Sequence, residues 1–331
     1  MKNNKLVSII IVNYNGSKII KDCLDSITNQ SYSNFEVIVV DNNSTDESTK
    51  IIKKNYPNIK LIELKNNLGF TGGNNIGYKN SNGENIILLN NDTKVEHDYI
   101  EKFIKVFNDF PNCGIAQSKI VLYDFPQKLD CAGSFWTFST YMYHFGYREK
   151  SIDKIYNEPY KIFSVKGASM IIKKEVIEKI GLFDEELWHY YEDTDLCHRA
   201  INAGYDIYYY PFAVCYHKEG YSRKQLNQET KILFTNTKNK LYSFSKNFEF
   251  PDVIIVIFKH LIMLNIYCII LFSKGHFSKI FTILKAILYF FYRLPSYLIN
   301  RKKNKYKGKE SILPTKKKFI LHFVKIYKNF V

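Results

Sequence analysis

Acid is what the end of this chain lacks. Residues 251–331 hold two carboxylates, Asp252 and Glu310, against 16 Lys and Arg, a net of +14. Residues 1–250 carry 31 basic against 30 acidic side chains, a net of +1. Nearly all of the +15 formal charge therefore sits in the tail, which points to a polyanionic partner, either a membrane surface or a nucleic acid. The six cysteines form no C-x-x-C pair and no clustered Cys/His set. That excludes a thiolate-zinc module and leaves buried thiols in a reducing compartment. The opening residues, MKNNK, lead straight into a short strand-like run rather than a secretory signal, so a cytoplasmic location is expected. No internal repeat or low-complexity stretch is visible. With 46% hydrophobic residues, the chain can build one large α/β domain, 1–250, and an appendage, 251–331.

What is present begins with alternation. Residues 7–12 (VSIIIV), 35–40, 60–64 and 85–89 are short apolar runs, as strands buried on both faces of a parallel sheet require. Between them, Ile19, Ile20, Cys23, Leu24 and Ile27 recur at helical spacing, and Gly72, Gly73, Asn74 and Gly77 mark a third-interval helix. Four strand–helix alternations predict a doubly wound sheet whose ligand lies beyond the carboxyl ends of its strands. The polar clusters 13–16, 41–46, 66–69 and 90–92 all fall at such ends. Asp92 there could hold a divalent ion through waters and substrate phosphates. Asp41 could accept from the N3–H of a pyrimidine; each has an alternative as a turn former. Residues 110–165 read as short strands and aromatic loops, and 166–172 (KGASMII) as a further strand.

The stretch 181–217 draws the rest together. Glu192, Asp193 and Asp195 follow the aromatic run Trp188-His189-Tyr190-Tyr191 and open a segment of helical spacing that Gly204 stops. For Asp195 the reading is an acid favoured at a helix start. Asp193, beside bulky rings that desolvate it, is the candidate general base.

Beyond residue 252 the character changes. Residues 253–272 are almost wholly apolar and about long enough to span a bilayer, though Lys259 and His260 favour a surface-lying or buried helix. A second helix carries Ser278, Thr282, Lys285, Tyr289, Arg293 and Ser296 on one stripe and Phe281, Leu284, Leu288 and Phe291 on the other, closed by Pro295. Lysine clusters follow, including Lys316-Lys317-Lys318, with a last apolar and basic segment at 319–330. Basic amphipathic helices of this kind read as membrane-interface anchors.

Six ordered motifs, 7–16 (VSIIIVNYNG), 40–48 (VDNNSTDES), 67–78 (NLGFTGGNNIGY), 88–93 (LLNNDT), 166–172 and 180–217, resemble the family 2 glycosyltransferases. Within that family the nearest subgroup is the rhamnosyltransferase-like enzymes of surface polysaccharide assembly, and the resemblance covers about residues 5–245. It implies a GT-A fold: an α/β, mostly parallel, Rossmann-like central sheet flanked by helices. It also implies a nucleoside-diphosphate sugar donor (dTDP-rhamnose or a UDP-hexose), Mg2+ or Mn2+, and inversion at the anomeric carbon. By position, Asn13 and Tyr14 would contact the nucleotide, Asp41 the uracil or thymine, and Asn43 the ribose, with Gly72 and Asn91 completing the donor site. Asp92 matches the last Asp of the family's Asp-x-Asp metal motif, whose first position is Asn90 here. Asp193 matches the base, and Trp188 and Glu192 would shape the acceptor or sugar pocket. His217 matches a histidine that reaches metal or diphosphate in some relatives; the alternative is a core histidine ending a strand. The expected partners are the donor, a polyprenyl-diphosphate-linked saccharide acceptor and the inner face of the cell membrane, with no nucleic acid. A sugar nucleotidyltransferase would need a Gly-rich, Arg/Lys-bearing loop after the first strand, which Asn13-Tyr14-Asn15-Gly16 is not. A non-catalytic membrane- or nucleic-acid-binding module would leave Asp41, Asp92 and Asp193 without a role.

Overall fold

The structure, a computed structural model, describes residues 5–218 and 229–314. The basic segment at 316–330 lies outside them. The chain opens with β1 (Val7–Asn13), α1 (Ile20–Thr28), β2 (Phe35–Asp41), α2 (Ser48–Asn55), β3 (Lys60–Glu63), α3 (Gly69–Lys79) and β4 (Asn85–Leu89). β1 lies between β2 and β4, parallel to both, and β3 extends the sheet beyond β2. All five residues of β4 are buried, which is why these strands are apolar throughout rather than alternating. α1 turns Ile20, Cys23, Leu24 and Ile27 onto the sheet. α3 lies close on the other face because its glycines allow it: a Cβ on Gly77 would collide with the Ile10 side chain, and one on Gly73 would come within 2.8 Å of Val12.

The second half departs from a purely parallel expectation. It comprises β5 (Thr93–Val95), α4 (Tyr99–Ile104), α5 (Val106–Asp109), β6 (Cys113–Leu122), β7 (Leu129–Cys131), β8 (Ser134–Trp136), β9 (Met142–His144), β10 (Tyr160–Lys161), β11 (Ser169–Lys173), α6 (Lys174–Ile180), α7 (Glu192–Asn202) and β12 (Asp206–His217). β11 runs antiparallel between β4 and β6, and β12 is parallel to β6, so the sheet is mixed. Both directions bury the same apolar strands, so hydrophobic pattern alone does not set direction. β12 breaks register with β6 between Tyr210 and Val214, at Pro211, which has no N–H to offer the ladder. Past this bulge its end pairs with β5, setting His217 opposite Thr93 and next to Asp92.

Three long helices complete the described chain: α8 (Glu229–Asn247), α9 (Asp252–Ser273) and α10 (Phe277–Lys303). α9 is long and apolar enough to cross a membrane by length and composition. α10 does not close at Pro295 but continues to Lys303. Packing holds it on both sides of the proline: Phe290 and Tyr297 are buried with Leu187, Leu241 and Tyr242, and Arg301 donates to the carbonyls of Ser245 and Phe248. The buried stripe of α10 is Ile283, Ala286, Phe290 and Tyr297. The Phe281, Leu284, Leu288 and Phe291 face is exposed, with Phe281 at 71% and Leu288 at 70%. Ile254, Phe258, Ile262, Ile266, Ile269 and Phe272 form a matching exposed stripe on α9.

Candidate active site

The carboxyl ends of β1, β2 and β4 deliver the first group of side chains. Asn13 ends β1, fully buried, and donates through Nδ2 to Asp41 Oδ1 at 2.8 Å and Ser48 Oγ at 2.9 Å. Asn91 Nδ2 donates to Asn13 Oδ1 at 2.9 Å. Asp41 also accepts from the backbone and hydroxyl of Ser44, at 2.8 and 2.6 Å, so it closes the 41–44 turn. Tyr14 and Asn43 stand exposed at the rim, Asn43 with a left-handed φ of 64°. Gly72 is buried inside α3, where a Cβ would come within 2.6 Å of Leu68, so packing accounts for it.

Asp92 is buried, and its Oδ1 has no hydrogen-bond partner. It lies 3.4 Å from His217 Nε2, an ion-pair contact. His217 Nδ1 meets Asp130 Oδ2 at 2.6 Å, and Lys166 Nζ donates to Asp130 Oδ1 at 2.5 Å. Burial would push the His217 imidazole down, but the Asp92 carboxylate and the Asp130 hydrogen bond outweigh it and raise its pKa to about 9. Burial likewise opposes the charge on Asp130, yet Lys166 and His217 hold its carboxyl well below the usual range.

The next residue after Lys166 reaches the proposed base. The Gly167 N–H donates to Asp193 Oδ2 at 3.0 Å, and Asp193 Oδ1 accepts from the Thr194 N–H at 2.6 Å. Desolvation raises the pKa of the half-buried Asp193, against those hydrogen bonds and the Lys166 charge. Glu192 beside it is buried with Oε2 unpartnered; burial first, then the Asp193 charge, raises its pKa well above the ordinary value. Trp188 is partly exposed, and its carbonyl accepts from the Thr71 N–H at 3.2 Å. Asp41, Asp92 and Asp193 are thus linked through Asn13, Asn91, His217, Asp130 and the Lys166-Gly167 backbone.

Asp195 differs from the helix-start reading. It is fully buried and accepts from Arg199 at 2.9 Å, Lys246 at 3.0 Å, Ser243 at 3.0 Å and Asn247 at 2.8 Å. It ties α7 to α8. Sequence reasoning also missed Asp130, whose only signal was an acid between the apolar Leu129 and Cys131, and it gave no role to Lys166, although that residue opens the 166–172 motif. It missed Asn42 too, which bridges β2 to the start of α3 through the Gly69 carbonyl at 2.9 Å.

Among the described residues no three His, Cys, Asp or Glu side chains form a metal cluster. Asp92 offers a buried carboxylate oxygen with no hydrogen bond, whose near neighbour is His217 Nε2 at 3.4 Å, and His217 could join it as a ligand through Nε2 once a bound cation had displaced the imidazolium proton. Mg2+ and Mn2+ commonly take one or two protein ligands and complete their shells from water and phosphate, so the pair fits such an ion.

Comparison with known proteins agrees with this architecture. The family model for glycosyl transferase family 2 matches residues 8–181. An uncharacterised glycosyltransferase of Rickettsia typhi is 31% identical over 61% of this chain and 62% of its own length, so the chain spans about three-fifths of that relative. The dTDP-rhamnosyl transferase RfbF of Shigella flexneri is 29% identical over 63% of this chain and 67% of its own. Among solved structures, the mannosyltransferase PcManGT of Pyrobaculum calidifontis, in complex with GDP-Man and Mn2+, shares the fold with a TM-score of 0.52 at 17% identity. The match covers 90% of this chain and 86% of that one. S. aureus TarS 1-349 in complex with UDP-GlcNAc gives 0.54 at 16% identity, over 77% and 71% of the two chains. On the family match across more than half its length, the chain belongs to glycosyl transferase family 2.

Proposed function

We propose that this chain transfers a sugar from a nucleoside-diphosphate sugar to a hydroxyl of a saccharide acceptor, with inversion at the anomeric carbon. The observation that carries this reading is the connected run from Asp41, at the nucleotide end, through Asp92 and His217, to Asp193. Asp193 takes the proton of the acceptor hydroxyl as that oxygen bonds to the anomeric carbon, and the bond from that carbon to the diphosphate oxygen breaks with its electron pair leaving on the diphosphate. A carboxylate kept partly desolvated is a stronger base than one in water, which favours the proton's transfer. Asn13, Tyr14, Asp41, Asn43 and Asn91 form the donor side, with Gly72 serving the packing of α3 behind them, and Trp188 and Glu192 form the acceptor or sugar side. Asp92 and His217 would hold Mg2+ or Mn2+, whose charge offsets the negative charge building on the departing diphosphate. Holding nucleophile and leaving group in line removes much of the entropic barrier.

The donor is dTDP-rhamnose or a UDP-hexose, the first supported by the name of the RfbF relative. The acceptor is lipid-linked, on a polyprenyl diphosphate, in cell-surface polysaccharide assembly. This is supported by the exposed apolar stripes of α9 and α10, which lie within a region of +14 net charge. Contiguous apolar surface of this kind marks a docking face, and basic residues beside it suit an anionic inner leaflet. The chain would then lie peripherally on the cytoplasmic face of the membrane. A panel of nucleotide-sugars with a polyprenyl-diphosphate-linked saccharide and Mn2+ tests the whole reading. Release of UDP or dTDP with a product of inverted anomeric configuration is expected; release of inorganic pyrophosphate, or retention of configuration, would overturn it.

A further inference from the structure

The loop entering α7 follows an unusual backbone path. Trp188, Tyr190 and Tyr191 take φ values of +56°, +67° and +74°, although none is glycine. Bulky side chains occupy that region rarely, and they stay there only when the surroundings fix them. Here the fixing comes from outside the loop. Asn239 on α8, fully buried, points Nδ2 at the carbonyls of Leu187, His189 and Tyr190, at 2.9, 3.0 and 2.6 Å, its two N–H bonds shared among the three. Its Oδ1 accepts from Lys238 Nζ at 2.8 Å, and the same ammonium donates to the Glu186 carbonyl at 3.2 Å. From the opposite side the Thr71 N–H and hydroxyl donate to the Trp188 carbonyl at 3.2 and 3.3 Å. Every carbonyl from 186 to 190 is therefore held by α3 or α8.

We propose that Asn239 is a positioning residue for sugar transfer. It clamps residues 187–190 in the left-handed path that sets Glu192 and Asp193 at the start of α7, with Asp193 against Gly167. The inference rests on the reading that Asp193 takes the acceptor's proton. The chemistry of the amide explains the choice of side chain. Three convergent carbonyls need a group that presents N–H donors and no negative charge. Asparagine does this; aspartate would set carboxylate oxygens against carbonyl oxygens, and leucine fills the space without donors. Among the described residues, no hydrogen bond joins Asn239 to Asn13, Asp41 or Asn91.

The test uses the full chain with Asn239→Leu and, as an independent route to the same loop, Thr71→Val. One readout is acrylamide quenching of tryptophan fluorescence. The sequence has two tryptophans; Trp136 is 1% exposed and Trp188 41%, so quenching reports the loop. The second is steady-state kinetics with donor and acceptor varied separately, and the third is the pH profile of kcat. The clamp predicts raised quenching in both variants and a fall in kcat that exceeds any change in donor KM. In Asn239→Leu kcat should fall by about 100-fold, the scale for a misplaced catalytic group. The acid limb of kcat should also move to lower pH as Asp193 gains water. A folded Asn239→Leu with wild-type quenching and wild-type kcat overturns the proposal. So does a loss of melting temperature and activity together with no change in quenching or in the acid limb, which is the mark of a merely structural residue. Quenching needs no substrate, so it judges the clamp even where no sugar transfer is found, and a failure of the clamp is separable from a failure of the transfer reading.

Discussion

Replacing Asp195 with asparagine should destabilise the fold far more than its distance from the reacting atoms suggests. Its carboxylate is fully buried and meets two cations, Arg199 and Lys246, and two neutral donors, Ser243 and Asn247. Removing one partner of a buried ion pair costs roughly 3–5 kcal/mol, because the remaining charge is left desolvated. Both cations keep a second partner: Arg199 binds the carbonyls of Ile180, Gly181 and Leu182, and Lys246 pairs with Asp184 at 2.7 Å. The low end, about 3 kcal/mol, is therefore expected. At about 2.1 cal/mol/K of unfolding entropy per residue, a chain of 331 residues shifts by about 1.5 °C per kcal/mol, so the melting temperature should fall by roughly 4–5 °C. The pH dependence gives a second handle. Burial opposes the Asp195 charge, but Lys246 and Arg199 outweigh it and depress its folded pKa well below the ordinary value. A depressed carboxyl contributes stability that is complete above its unfolded pKa and lost as pH falls through the folded one. The gap between wild type and Asp195→Asn should thus hold from pH 7 to about 5 and narrow below about 4. Differential scanning fluorimetry across that range checks both. A loss under about 2 °C at pH 7 would refute the hub, since it would place the site's ion pairs in the range of exposed ones.

Asp193→Asn should lower kcat by about 10²–10⁴ with the melting temperature nearly kept, and a variant of full activity would remove Asp193 from the base's role. Because Asp193 must be ionised to accept a proton and its pKa is raised by desolvation, wild-type kcat should decline on the acid side at a pH above that of an ordinary aspartate. Exchanging Phe281 and Leu288 together for serine should abolish flotation with anionic liposomes yet leave the soluble fold intact, since both side chains are more than two-thirds exposed; flotation equal to wild type would rule out that face. Ending the chain at residue 250 should give no cooperatively melting product, as judged by near-ultraviolet circular dichroism and limited proteolysis.

Much of this could be read from residues, and the rest was hidden for definable reasons. β1, β2 and β4 announce themselves because strands buried on both faces must be apolar throughout. Asn13, Asp41 and Asp92 follow once strand ends are located, since the sheet's twist and connection rules bring those ends together. β11 was legible as a strand but not in its direction. Asp195 looked like any first-turn acid, because the features that favour acid at a helix start are local, whereas Lys246 and Asn247 lie 51 and 52 residues away. Asp130 and Lys166 pair across 36 residues. The stop expected at Pro295 failed for the converse reason: local propensity favours a break, and packing of Phe290 and Tyr297 on either side overrides it.

The same long-range ties bear on how far the basic tail can be treated as an appendage. Val253 and Val256 of α9 share a core with Trp136, Phe163, Phe244 and Phe248, and Phe290 and Tyr297 of α10 share one with Leu187 and Tyr242. Fully burying each of four such side chains stabilises by about 1.5–3 kcal/mol, so together they amount to roughly 6–12 kcal/mol. This is gross burial, offset by the entropy of ordering the helices and by the unpartnered Tyr297 hydroxyl, yet it is large beside a domain's small net stability. The polar ties run the same way: Arg293 of α10 pairs with Glu186 at 2.9 Å, and Lys246 of α8 with Asp184 at 2.7 Å, both within the segment leading to Asp193. Of the two helices that present apolar stripes, α10 thus also buttresses the segment before the proposed base, together with α8. A sequence boundary drawn at residue 250, where charge and hydropathy change, marks a change of surface character, and two buried clusters of side chains cross it.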